Sequence, residues 1–203
     1  MRLEALAVAL PEVAGHPNRV PFEGVLTRVG EPSNRPPSGA RGHRVILTQS
    51  AALAALPSLM GMAVDYAQGW DGHDARRKCG IITQADVDGK CLRVSGYLFG
   101  KDFPEVVERM RQSAAGTMGM SYEIADAHVD DMSAEIWTLT RATFTGAAIL
   151  LREKAAYRDT SFQLVAKRCR ETAVRRVPHA EPARPSEGRK NCELEKGRQA
   201  RWR

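Results

Sequence analysis

The chain has 203 residues, 43% of them hydrophobic and 27% charged, proportions of an ordinary soluble globular protein. Its longest apolar stretch, Ala51 to Val64, is broken by Pro57 and falls short of the ~20 residues a membrane-spanning helix requires. Glu4 and Glu12 interrupt the one stretch that could serve as a signal-peptide core, so no membrane association and an intracellular setting are expected.

Residues 1–19 form an Ala/Leu/Val-rich arm, with a short helix as its simplest reading. Val20 to Val29 reads as a first strand, rich in β-branched residues and closed by Gly30. Glu31 to Gly42, with three prolines and two glycines, is a loop; His43 to Thr48 returns to strand. Ser50 to Leu56 predicts a helix with Ser50 as its N-cap and Pro57 at its end. Ala63 to Tyr66 predicts a short strand that delivers the chain to the turn Gly69-Trp70-Asp71-Gly72-His73. Gly80 to Thr83 and Cys91 to Phe99 read as strands separated by Asp88-Gly89, a hairpin signal. Asp102-Phe103-Pro104-Glu105 predicts a helix start with Asp102 as cap, and Phe103, Val106, Val107 and Met110 as the inward face. Gly116 and Gly119 lead into a strand bearing Ser121; Ile136 to Ile149 is a further strand, bent at Gly146, and Glu153 to Tyr157 a short helix. Strands broken by single helices fit an α+β, mostly antiparallel architecture better than an alternating one.

The chemistry concentrates at two places. Asp71-Gly72-His73-Asp74 puts a histidine on a loop, and 48 residues later Met118-Gly119-Met120-Ser121-Tyr122-Glu123 puts a serine in a glycine-flanked apolar strand. A serine hydroxyl becomes a competent nucleophile when a neutral imidazole accepts its proton, so His73 as base and Ser121 as nucleophile are the minimum for acyl transfer. On residue type alone, Ser121 also reads as a strand hydroxyl bonded to backbone, and His73 as a polar turn residue. The four cysteines, Cys79, Cys91, Cys169 and Cys192, show no Cys-x-x-Cys spacing, which argues for reduced thiols and no metal site. Trp70 and Trp137 read as packing residues.

Several blocks recur in a familiar order: Pro21-Phe22-Glu23-Gly24-Val25-Leu26, Pro32 to Ala40, Leu59-Met60-Gly61-Met62-Ala63-Val64, Gly72-His73-Asp74, Asp102-Phe103-Pro104-Glu105, Met120-Ser121-Tyr122-Glu123, Phe144 to Leu150 and Ala155-Ala156-Tyr157. In these the chain, from about Pro21 to Phe162, resembles the tailed-phage prohead serine proteases, the capsid maturation enzymes related to herpesvirus assemblin. The resemblance implies a small, mostly antiparallel β-barrel surrounded by helices, occupying residues 20–166. It also implies a serine endopeptidase without cofactor, working in assembling phage proheads in the bacterial host cytoplasm. Expected partners are the major capsid protein, scaffold segments and further copies of the chain, with self-cleavage.

The resemblance also implies a third catalytic member, a histidine or an acid that would orient the base, on a strand after the serine, near Thr140-Arg141-Ala142. Arg141 cannot accept a hydrogen bond from imidazole, so Asp74, Glu135 and His128 stand as substitutes by residue type, and a Ser/His dyad as the alternative. Backbone N–H groups at Gly146 and Ala147 are the candidate oxyanion donors, with a β-bulge glycine as the other reading of Gly146. Arg141 also motivates a rival reading, a prohead core protein of the same fold without catalysis.

The net charge of +6 is unevenly spread: residues 167–203 hold 12 Lys and Arg against 5 Asp and Glu, residues 1–166 hold 18 against 19. With few large apolar side chains and three prolines, this tail is expected to be disordered when free. It reads either as a solvated terminus or as a contact for a polyanion, weak binding to nucleic acid included, and the latter motivates a second rival, a nucleic-acid-binding module.

Overall fold

The computed structural model describes residues 6–7 and 15–165; the basic tail, Cys169 and Cys192 lie outside them. Nine strands make one mixed sheet: β1 (Leu6–Ala7), β2 (Arg19–Arg28), β3 (Arg44–Leu47), β4 (Ala63–Asp65), β5 (Lys78–Asp88), β6 (Cys91–Phe99), β7 (Met118–Val129), β8 (Ile136–Leu151) and β9 (Ser161–Leu164). Two short helices, α1 (Gln49–Ala55) and α2 (Pro104–Gln112), interrupt them.

The antiparallel part follows local sequence signals. In β6, Leu92, Val94 and Leu98 are buried in alternation with less buried neighbours, the period of a strand with one face on a core. Asp88 pairs with Cys91 across Gly89-Lys90, and Gly89 takes the positive φ of 59° that such a tight turn demands. β2 pairs with β6 on one edge and β9 on the other. The arm contributes a strand at Leu6–Ala7, paired with β5, where a helix was expected.

β8 organises the rest. Along one edge it pairs with β7 over nearly its whole length, from Met118↔Leu151 to Val129↔Leu139. Its other edge is shared in parallel by β3, at residues 136–139, and β4, at residues 147 and 148. Between those two strands α1 and the 3-10 turn Leu56–Leu59 cover the gap. There, Ser58 Oγ accepts from Phe144 N, so a polar side chain takes up an edge group that neither strand pairs.

The sheet curls into a half-barrel. A Cβ on Gly24 would stand 2.8 Å from Met120 Sδ and 2.5 Å from Ser161 O, so β2 can let β7 and β9 approach only with a glycine there. Phe22, Leu26, Leu92, Leu98, Met120 and Ile149 are almost wholly buried inside the curl.

Four expectations need correction. Helices do not surround the sheet: among the described residues two short ones and two 3-10 turns accompany it, and the helix expected after Glu153 is the 3-10 turn Arg152–Lys154. Thr48, not Ser50, caps α1, accepting from Ala51 N. Asp102 does not cap α2; its carboxylate accepts from Asn18 instead, and Phe103 holds the cap position. No helix among the described residues is long and apolar enough to cross a membrane.

Candidate functional site

Ser121 faces Ala148 across β7 and β8, and Ala148 faces Asp65 across β8 and β4. Residues in register across a sheet project on the same side, so Ser121, Ala148 and Asp65 form one transverse row. Lys78 of β5 extends it next to Asp65. The smallness of Ala148 leaves free the space between the serine and the aspartate.

His73 comes to that row from the turn between β4 and β5. Trp70, at φ 56°, gives the turn its left-handed bend; its ring stacks on Tyr66 at 5.0 Å and its carbonyl accepts from Leu151 N, which pins the turn to the end of β8. His73 Nδ1 lies 3.4 Å from Asp65 Oδ1 and 3.9 Å from Glu123 Oε2. The other oxygen of Asp65 accepts from Lys78 Nζ at 2.7 Å.

Asp65 is nearly inaccessible, its side chain 1% exposed. Burial pushes its carboxyl upward, but His73 and Lys78 outweigh that and hold it below its ordinary value, ionised at neutral pH. Asp65 Oδ1 and both ring nitrogens of His73 are buried without a hydrogen-bond partner in the protein. Buried polar groups are nearly always paired, so three orphaned atoms at one point are unusual.

The row opens into a cleft of about 910 Å³ lined by Ser121, Tyr122, Glu123, Ile124, Asp71, Gly72 and His73, with Arg35 to Ala40 and Lys154 among the rest of its lining. Consecutive residues 121–124 all line it. Since side chains alternate between faces, the cleft runs along the edge of β7 that β8 does not occupy. Further along, Val129, Trp137, Leu139 and Val45 give it an apolar lining. The Arg35 loop is anchored by its guanidinium to the carbonyls of Glu153 and Ala155.

Thus the structure brings His73 and Ser121 to one cleft, and it does not bring the expected third members to them. Asp74 turns its carboxylate to Arg76 and Arg77 on its own turn. Glu135 is exposed, as is His128, whose Nδ1 lies 2.8 Å from Thr140 Oγ1; both sit towards the far end of the β7–β8 hairpin. Ala147 has strand partners on both edges, Val64 and Tyr122, so its N–H belongs to the sheet ladder and not to the cleft. Gly146 lies opposite Glu123 beside a register shift, the bulge alternative of the sequence reading. Among the described residues no acidic, histidine or cysteine cluster could hold a metal. Cys79 is buried and its thiol is pushed up to about 12 by desolvation, an inert packing group. Trp137 is buried and stacks on His43.

The residue that sequence reasoning missed is Asp65. Its signal was an aspartate inside the short apolar strand Ala63-Val64-Asp65-Tyr66, a residue type that rarely enters a core unpaired.

No family model matches the chain, and no curated protein matches it either. Among solved structures it is similar to KSHV protease in complex with a hexapeptide phosphonate inhibitor, at a TM-score of 0.44 and 10% identity, over 72% of this chain. The match spans 65% of that protease's chain.

Proposed function

We propose that this chain is a serine endopeptidase with Ser121 as nucleophile, His73 as base and Asp65 as the acid that orients it. The observation that carries this reading is the buried Asp65, in register with Ser121 across β4, β8 and β7, with its Oδ1 3.4 Å from a His73 ring whose nitrogens have no hydrogen-bond partner in the protein. In the reaction the Ser121 Oγ–H proton passes to His73 as Oγ attacks a peptide carbonyl; the imidazolium then protonates the leaving amine, and water releases the acyl group by the same route in reverse. Asp65 keeps its charge throughout and fixes the ring through Nδ1.

The cleft's course along an unpaired strand edge supports a peptide substrate over a small ester. An extended chain can add to β7 as a further strand and place side chains alternately in the cleft. The sequence blocks shared with prohead proteases support capsid and scaffold segments as substrates during head assembly, with cleavage of the chain itself.

Co-expression with a tailed-phage major capsid protein, followed by mass measurement of fragments, tests the reading. Defined capsid fragments that vanish with Ser121→Ala are the expected result. An intact capsid protein together with an unreactive Ser121 would leave the non-catalytic core protein as the better description.

A further inference from the structure

Asp65 orients His73, but its charge is already spoken for: Lys78 Nζ sits 2.7 Å from the same carboxylate. Lys78 therefore offsets part of the charge that Asp65 presents to an imidazolium at His73. Glu123 is placed differently. It follows Ser121 by two residues on the same face of β7, with Oε2 3.9 Å from His73 Nδ1 and no lysine or arginine paired to it among the described residues. It reaches that place because its cross-strand neighbour is Gly146: a Cβ there would stand 2.5 Å from Glu123 Oε2 and 3.4 Å from its Cβ.

We infer that Glu123 is a positioning residue that supplies the uncompensated negative charge for the His73 imidazolium, and that Gly146 is glycine in order to admit it. This rests on the reading of His73 as the base of Ser121. The remaining charged groups around His73 are placed differently. Asp74 is engaged by Arg76 and Arg77, Asp71 lies on His73's own turn, and across the cleft Arg35 is committed to backbone carbonyls while Lys154 lines the wall. Because the Glu123 side chain is 55% exposed, its influence should be moderate and sensitive to salt.

The test is the rate at which an alkyl fluorophosphonate modifies Ser121 in the full chain, for wild type, Glu123→Gln, Glu123→Asp, Gly146→Ala and the double variant Glu123→Gln/Gly146→Ala. A methyl group at 146 displaces only the tip of a flexible, exposed side chain, so these proteins should fold. Glu123→Gln and Gly146→Ala should each slow labelling roughly tenfold, as expected for one partly screened charge at this range, and the double variant should be no slower than either. Wild type and Glu123→Asp should slow as salt rises from about 0.1 to about 1 M, and Glu123→Gln should not. Wild-type speed in Glu123→Gln, multiplicative losses in the double variant, or an unchanged salt response without Glu123 would each overturn the inference while leaving the peptidase reading standing. A wild-type chain that does not label overturns the peptidase reading and takes this inference with it.

Discussion

β7 and β8 pair along their length, yet the two ends of that hairpin carry opposite kinds of partner. At the inner end Ser121 faces the buried Ala148, with Asp65 beyond it and His73 leaning in from a loop. Towards the turn, His128 faces Arg141, both are exposed, and register shifts flank the pair. The residue types nearer the turn look more catalytic in a sequence: a histidine, an acid at Glu135, a cation. What the inner end has instead is a buried acid. A small residue in the middle of the row leaves the space, and a third strand on β8's far edge contributes an acid whose charge is protected from solvent, where electrostatic orientation is stronger.

The comparison can be broken most sharply at the inner end. Ser121→Ala and His73→Ala should each lower fragment formation by at least about 10³-fold without unfolding the chain, and the double variant should be hardly worse, because the two act as a unit. Residual cleavage at the wild-type rate by Ser121→Ala would move the chemistry elsewhere. Asp65→Asn should cost a factor on the order of 10³ in the same assay, as loss of an orienting carboxylate does. An effect below about tenfold would favour a Ser/His dyad.

Asp65 also leaves a mark on stability. Its folded pKa is depressed, so its ionised form stabilises the fold fully above the unfolded value of about 3.9 and loses that contribution as the pH falls through the lower folded value. Denaturant melts from about pH 7 to about pH 2 should therefore show wild type more stable than Asp65→Asn near neutrality, with the gap closing in acid. A gap that stays constant would mean that Asp65 is not held as an anion. The smallest effects belong to the other candidates: Glu135→Gln and His128→Ala should stay within about twofold of wild type, as substitutions of exposed groups usually do, and Asp74→Asn, which loosens only contacts to Arg76 and Arg77, should cost far less than Asp65→Asn. A large loss in His128→Ala would join the two ends of the hairpin functionally and undo the contrast.

Much of the sheet is legible in the sequence because its signals are local. The alternation in β6, the Asp88-Gly89 turn and the run from Arg19 to Arg28 each announce themselves within about ten residues. Helix caps were less legible: Thr48 and Ser50 are both good capping types two residues apart, and only the bond from Ala51 N chooses Thr48. His73 and Ser121 stand out through the ordered blocks that contain them, since by residue type alone each also reads as an ordinary polar residue. Asp65 could not be recognised the same way, since its relation to Ser121 runs through β8, where parallel pairing joins Asp65 to Ala148 and no local pattern encodes it. A search for the orienting residue downstream of the serine looks at residues 140–142, which the register carries away towards the turn. Gly146 shows the same limit, as its glycine reads as a bulge until the side chain of Glu123 is seen over it.

Because β3 and β4 both lie parallel to β8, the chain makes these two strands long before it makes the one that joins them. Hairpins such as β5–β6 can form as they emerge during synthesis, whereas pairing Val64 with Ala147 closes a long loop and is intrinsically slow. Until β8 is in place, Asp65 and His73 on one side and Ser121 on the other have nothing to hold them in register. A nascent chain, or one caught part-way through folding, would therefore carry all three side chains without the geometry that the proposed activity requires, so topology alone would delay that activity until the domain is complete.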